Sequence, residues 1–195
     1  MRLFVAILPP DGALAELAAA TEPLRLAAPE LRWTSRASWH MTVAFLGEVA
    51  DDKLPGLRTR LERAARRHRE QPLAIAGGGA FPSARRARIV WAGLQGDSRA
   101  LGRLAASVAA GARRAGAPPP DEGKKYHPHL TLARCRVQTD ASGLTSQLAR
   151  FSGTAWTAAE IHLMRSRPGD GRPRYDSIGA WPLGASAARA GQDPG

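Results

Sequence analysis

The chain has 195 residues, enough for one domain with a real core or two small lobes and too few for several independent domains. Hydrophobic residues make up 44%, which excludes a disordered chain and places it among globular proteins. Lys and Arg outnumber Asp and Glu by 28 to 17, and a surplus of that size attracts phosphates and polyanions, although an Ala-, Arg-, Gly- and Pro-rich composition would produce the same charge with no partner at all.

"RLFVAIL" (2–8) is a short apolar run cut off by Pro9 and Pro10, the pattern of a buried strand. It is too short for a secretory signal, and no run in the chain reaches transmembrane length, so a soluble cytoplasmic protein without membrane attachment is expected. A helix is predicted from residue 11, with Asp11 as its N-cap, Leu14 and Leu17 on its apolar stripe and Pro23 closing or bending it. After a loop containing Trp33 comes the strand "HMTVAFLG", ended by Gly47. Residues 53–68 set Leu54, Leu57 and Leu61 on one stripe among arginines, an amphipathic surface helix. "LAIAGGGAF" (73–81) reads as a strand running into a glycine-rich bend; it lacks the Lys-Ser/Thr of a phosphate-binding loop.

The second half starts over. "RIVWAGL" (88–94) lies on "RLFVAIL", with the same leading Arg, an Ala at the fifth place and a closing Leu. A predicted helix follows (98–116), then the strand "YHPHLTLARCR" (126–136), a polar helix-compatible stretch (139–151) and two strands, 154–166 and 175–183. This order of elements, occurring twice, is an internal duplication of roughly 1–86 and 87–183 within one domain of 1–183, whose lobes can exchange strands. The tail 184–195 is expected to be disordered. The single cysteine, Cys135, excludes an internal disulfide and any multi-cysteine metal site.

The two copies share His-x-Thr. On a strand His40 and Thr42 point the same way, and so do His129 and Thr131, while Met41, Val43, Leu130 and Leu132 turn to the core. Phe45, on the parity opposite to His40, is also expected in the core. If the lobes pack about a pseudo-two-fold axis, the two imidazole–hydroxyl pairs face each other across a cleft. Opposed histidines suit displacement at phosphorus: one takes a proton from the attacking oxygen and the other gives a proton to the leaving oxygen. Threonine hydroxyls can hold the non-bridging oxygens.

These residues, together with "RLFVAILPP", "LRWTSRASWHMTVAFLGEV", "GGGAFPSARRARIVWAGL", "HPHLTLARCR" and "RYDSIGAWPL", resemble the two-histidine phosphoesterases. Within them the match is to the bacterial RNA 2′,3′-cyclic phosphodiesterases, also described as 2′-5′ RNA ligases, over about residues 1–183. The resemblance implies a bilobal α+β fold, each lobe an antiparallel sheet with outer helices, and a cleft between the sheets. It implies hydrolysis of an RNA 2′,3′-cyclic phosphate end to a 2′-phosphate by a monomer, with 2′-5′ ligation as a related reaction and no metal or nucleotide cofactor. It assigns His40 as proton donor, His129 as proton acceptor, and Thr42, Thr131 and Arg134 as phosphate ligands. Strict alternation, however, turns Arg134 away from His129 unless the strand is bulged.

His127 and Trp33 are candidate substrate contacts, Trp33 as a base-stacking platform or else a core residue. His127 could equally be a rim residue, or one of a metal-ligand pair with His162 or an acid as the third group. Arg165, Arg167, Arg172 and Arg174 could meet RNA phosphates in the cleft or be solvated surface. Two rivals stay open, a catalytically silent RNA-binding module and an enzyme for small cyclic nucleotides.

Overall fold

The computed structural model describes residues 1–120, 126–169 and 173–184. Nine strands and four α-helices are found among them: β1 (Arg2–Ile7), α1 (Asp11–Ala27), β2 (Arg32–Trp33), β3 (Met41–Glu48), α2 (Leu54–Ala65), β4 (Gln71–Phe81), β5 (Ala87–Gln95), α3 (Ser98–Arg114), β6 (His129–Thr139), α4 (Ser142–Leu148), β7 (Trp156–Ala158), β8 (Glu160–Arg167) and β9 (Arg174–Pro182). They build two antiparallel sheets, one in the order β3-β1-β8-β9 and the other β2-β6-β5-β4-β7. The fold is α+β and bilobal. Residues 185–195, where a disordered tail was expected, and Arg172 lie outside the described residues. No helix among the described residues is long and apolar enough to cross a membrane.

Neither sheet is made from one half of the chain. The first takes β1 and β3 from the N-terminal half and β8 and β9 from the C-terminal half; the second takes β2 and β4 from the first half and β5, β6 and β7 from the second. The helices cross over too. α1 follows β1 yet buries Leu17 and Leu24 with Ile75, Val90, Leu130 and Leu132 behind the second sheet. α3 follows β5 yet buries Leu101, Leu104 and Val108 with Leu3, Val5, Val43, Leu57 and Leu61 behind the first. Because each apolar stripe finds its cover in the other lobe, neither lobe can bury its core alone.

The continuous apolar run of β1 follows from this layering: Leu3, Val5 and Ile7 face the helices while Phe4 and Ala6 face the cleft. Local expectations are corrected at four places. Pro10, not Asp11, is the N-cap of α1, and Pro23 sits inside that helix without ending it. β2 forms where only a loop was expected, and the 154–166 strand is broken into β7 and β8. The glycine run of β4 serves packing: a Cβ on Gly79 would stand 2.5 Å from the Trp91 indole, and one on Gly78 2.7 Å from Leu148.

Candidate active site

β3 and β6 carry the two motifs, and the chain around each is tied to the other. The Thr34 hydroxyl, in the segment leading to His40, donates to the Thr131 and Leu132 carbonyls (2.8 and 2.9 Å) and accepts from the Trp39 indole (2.8 Å). In the other direction Tyr126, just ahead of His129, donates its hydroxyl to the Thr42 carbonyl at 3.1 Å. Its burial pushes the phenol pKa up, so it stays a donor.

The histidines are held alike. His40 Nδ1 donates to the Ser38 carbonyl at 2.8 Å, and His129 Nδ1 donates to the His127 carbonyl at 2.8 Å. A carbonyl can only accept, so the bond fixes the proton on Nδ1 and leaves each Nε2 as a lone pair for a ligand. The charge of His129 is felt at His40, which puts the two rings within electrostatic reach. Burial holds His40 down to about 4, opposed by the Ser38 carbonyl and assisted by His129. His129 is also lowered, first by burial, then by the His127 ring and Arg134 against the pull of the His127 carbonyl. Both rings are therefore neutral at pH 7 in the free protein, and an anion between them would raise both.

Aromatic side chains wall each ring, and none of these four was singled out in the sequence. Phe4 lies 4.7 Å and Tyr175 5.1 Å from His40, centroid to centroid. Phe81 lies 5.0 Å and Trp91 6.2 Å from His129. All four fall inside the sequence landmarks, but the shared face of Phe81 and Trp91 is set by the Trp91↔Gly79 and Phe81↔Ile89 pairings of β4 with β5.

The parity of Arg134 is settled by a bulge. Trp91 pairs with Thr131 and Val90 with Ala133, so Leu132 is the extra residue; Arg134 then pairs with Ile89, on the face of Trp91 and Thr131. β3 is bulged at the matching place. Ala6 pairs with Thr42 and Val5 with Ala44, so Val43 is extra and Phe45 comes to the face of Phe4. Phe45 was expected in the core opposite His40; it is instead half-buried against Phe4 and Met164 on the cleft side, with the Arg2 guanidinium 5.1 Å above its ring.

Trp33 is not a cleft residue: it is 7% exposed in the core behind the second sheet, and its indole donates to the Ala28 carbonyl. His127 is exposed, with its ring 4.7 Å from Trp91 and 5.4 Å from Phe81. His162 is committed on both nitrogens, to Ser177 Oγ (3.1 Å) and Glu160 Oε1 (3.0 Å), and among the described residues no three His, Cys, Asp or Glu side chains converge as a metal site. Arg165 and Arg167 both reach Asp176 (3.3 and 2.7 Å), while Arg174 is exposed at the start of β9.

The model of the 2'-5' RNA ligase superfamily matches residues 9–170. The chain belongs to this superfamily. Among its relatives are an RNA 2',3'-cyclic phosphodiesterase of Geobacillus stearothermophilus, 30% identical over 170 residues, and one of Escherichia coli K12, 31% identical over 147 residues. These alignments take in 86% and 74% of this chain; the chain spans about half of the Geobacillus relative (52%) and 75% of the E. coli one. The crystal structure of E. coli LigT complexed with 3'-AMP superposes with a TM-score of 0.72 at 28% identity, over 93% of this chain and 96% of that one. The matched residues take in every described element from α1 to β8.

Proposed function

We propose that this protein hydrolyses 2′,3′-cyclic phosphate ends of RNA to 2′-phosphates by acid–base catalysis shared between His40 and His129. The observation that carries the reading is the pair of imidazoles at the starts of the two motif strands, each with Nδ1 bound to a backbone carbonyl and Nε2 without a partner among the described residues, within electrostatic reach of one another. Relatives at 30 and 31% identity named for this activity, and the likeness to an enzyme crystallised with 3'-AMP, support the substrate class.

In the reaction His129 Nε2 takes a proton from water as the water oxygen bonds to phosphorus. The bond from phosphorus to O3′ breaks, and His40 Nε2 gives its proton to O3′, leaving a 3′-hydroxyl and a 2′-phosphate. Burial keeps the His40 ring neutral in the free protein, and the bound phosphate anion raises its pKa so that it carries the proton it gives to the leaving alkoxide. Thr42 and Thr131, whose hydroxyls have no protein partner among the described residues, hold the non-bridging oxygens, and Arg134 offsets their charge. A 5′-hydroxyl in place of water would form a 2′-5′ linkage by the same exchange. The chain works as one catalytic unit over 1–183, a duplication whose halves have exchanged strands and a helix.

Kinetics on an oligonucleotide ending in a 2′,3′-cyclic phosphate, with EDTA present, test the proposal. Turnover to a 2′-phosphate should persist in chelator and collapse in His40→Ala and in His129→Ala. Full activity in either variant, or RNA binding without turnover in the wild type, would overturn it.

A further inference from the structure

β2 is only two residues long, and it places a second arginine beside Arg134. Arg32 pairs directly with Arg134, and Trp33 with Ala133, across the edge of the second sheet. Trp33 and Ala133 are buried in the core behind that sheet, so strand alternation turns Arg32 and Arg134 to the other face, that of Thr131 and Trp91. Side chains directly opposite each other on antiparallel strands stand about 4.5–5.5 Å apart at Cβ, and like charges there destabilise the sheet. Here two exposed arginines adjoin, and neither has a hydrogen bond or ion pair among the described residues. Other arginines of the protein do find acids: Arg165 and Arg167 share Asp176, Arg36 takes Asp11 and Arg66 takes Glu62.

A pair of cations kept together without a carboxylate is accounted for by an anion that both can hold. Arg134 is near enough to His129 to lower its pKa, which puts it at the reacting phosphate. Arg32 lies one strand further toward the sheet edge. We propose that Arg32 forms a subsite for the next phosphodiester of the RNA chain, the one joining the terminal nucleotide to its neighbour on the 5′ side. This rests on the phosphodiesterase reading above. Arg32 would bind equally well in ground and transition states, so its contribution appears in KM rather than kcat.

Two substrates separate the subsite from the reaction. Adenosine 2′,3′-cyclic phosphate lacks the internucleotide phosphate, and the dinucleotide ApA ending in a 2′,3′-cyclic phosphate carries it. Wild-type protein should show a higher kcat/KM on the dinucleotide. Arg32→Gln should lose about tenfold on the dinucleotide through KM, the loss of one charge-assisted contact, with little change on the mononucleotide. A dinucleotide whose internucleotide link is an uncharged methylphosphonate should impose the same loss on the wild type and none on Arg32→Gln. Thermal unfolding should find the variant at least as stable as the wild type, because a like-charge pair has been removed. Equal losses on both phosphate substrates, or no loss on either, would overturn the subsite while leaving the phosphodiesterase reading standing. A wild type inactive on both substrates would overturn that reading instead.

Discussion

His40, just ahead of β3, and His129, the first residue of β6, hold corresponding places, each bound through Nδ1 to the carbonyl two residues before it, with Thr two residues on, then a bulged residue and an alanine packed on the core. The residue after that differs in kind: Phe45 on β3 and Arg134 on β6. His40 is walled by Phe4 and Tyr175 in apolar surroundings, and its pKa falls to about 4. His129 has an exposed histidine and an arginine at hand. One backbone device, used twice, thus holds two imidazoles in unlike surroundings, because environment rather than residue type sets acidity.

The harshest way to break the pairing is to remove either ring. His40→Ala and His129→Ala should each cut kcat by about 10²–10⁴-fold on a cyclic-phosphate oligonucleotide, and the double variant should be little worse than the singles if the two act as a unit. Additive losses in single-turnover assays would show that the rings work independently.

The difference in acidity can be read directly by NMR. In the free protein the His40 ring should titrate near pH 4, below His129, and saturating inorganic phosphate should raise both. A consequence for stability has a definite sign. An unfolded histidine takes up its proton near pH 6.5, whereas folded His40 stays neutral down to about 4. The group is silent above pH 6.5, and stability is lost as pH falls from there to about 4, by about 3 kcal/mol in all. Denaturant melts at pH 7 and pH 4.5 should show a shallower acid loss for His40→Ala than for wild type; an unchanged slope would contradict the depressed pKa.

Smaller changes test the flanking positions. Thr42→Val and Thr131→Val should each cost about 1.5–3 kcal/mol in kcat/KM if the hydroxyls meet a charged phosphate, with unfolding temperature unchanged. Arg134→Phe, which copies the first site onto the second, should lose a similar amount and let His129 titrate higher, whereas Phe45→Leu should leave the rate near wild type. Gly79→Ala forces the Trp91 indole off β4 and should cost about 1–3 kcal/mol of stability, read by thermal unfolding, with a smaller effect on rate.

The residues of the amino-acid sequence determined the two His-x-Thr pairs, their alternation and the helices with clear apolar stripes, because strand and helix periods are local properties. They also carried the family resemblance, and with it the substrate class proposed above. Four features needed the tertiary structure. The bulges at Val43 and Leu132 leave no local signature, yet they bring Phe45 and Arg134 to the cleft face. Which lobe β4, β8, α1 and α3 join is a choice among distant partners, made by where each apolar face finds cover. The aromatic walls gather Phe4 with Tyr175 from strands far apart in sequence, and Phe81 with Trp91 across the β4–β5 pairing. Arg32 stood in a segment read as a loop, and only its pairing with Arg134 gives it a face and a neighbour.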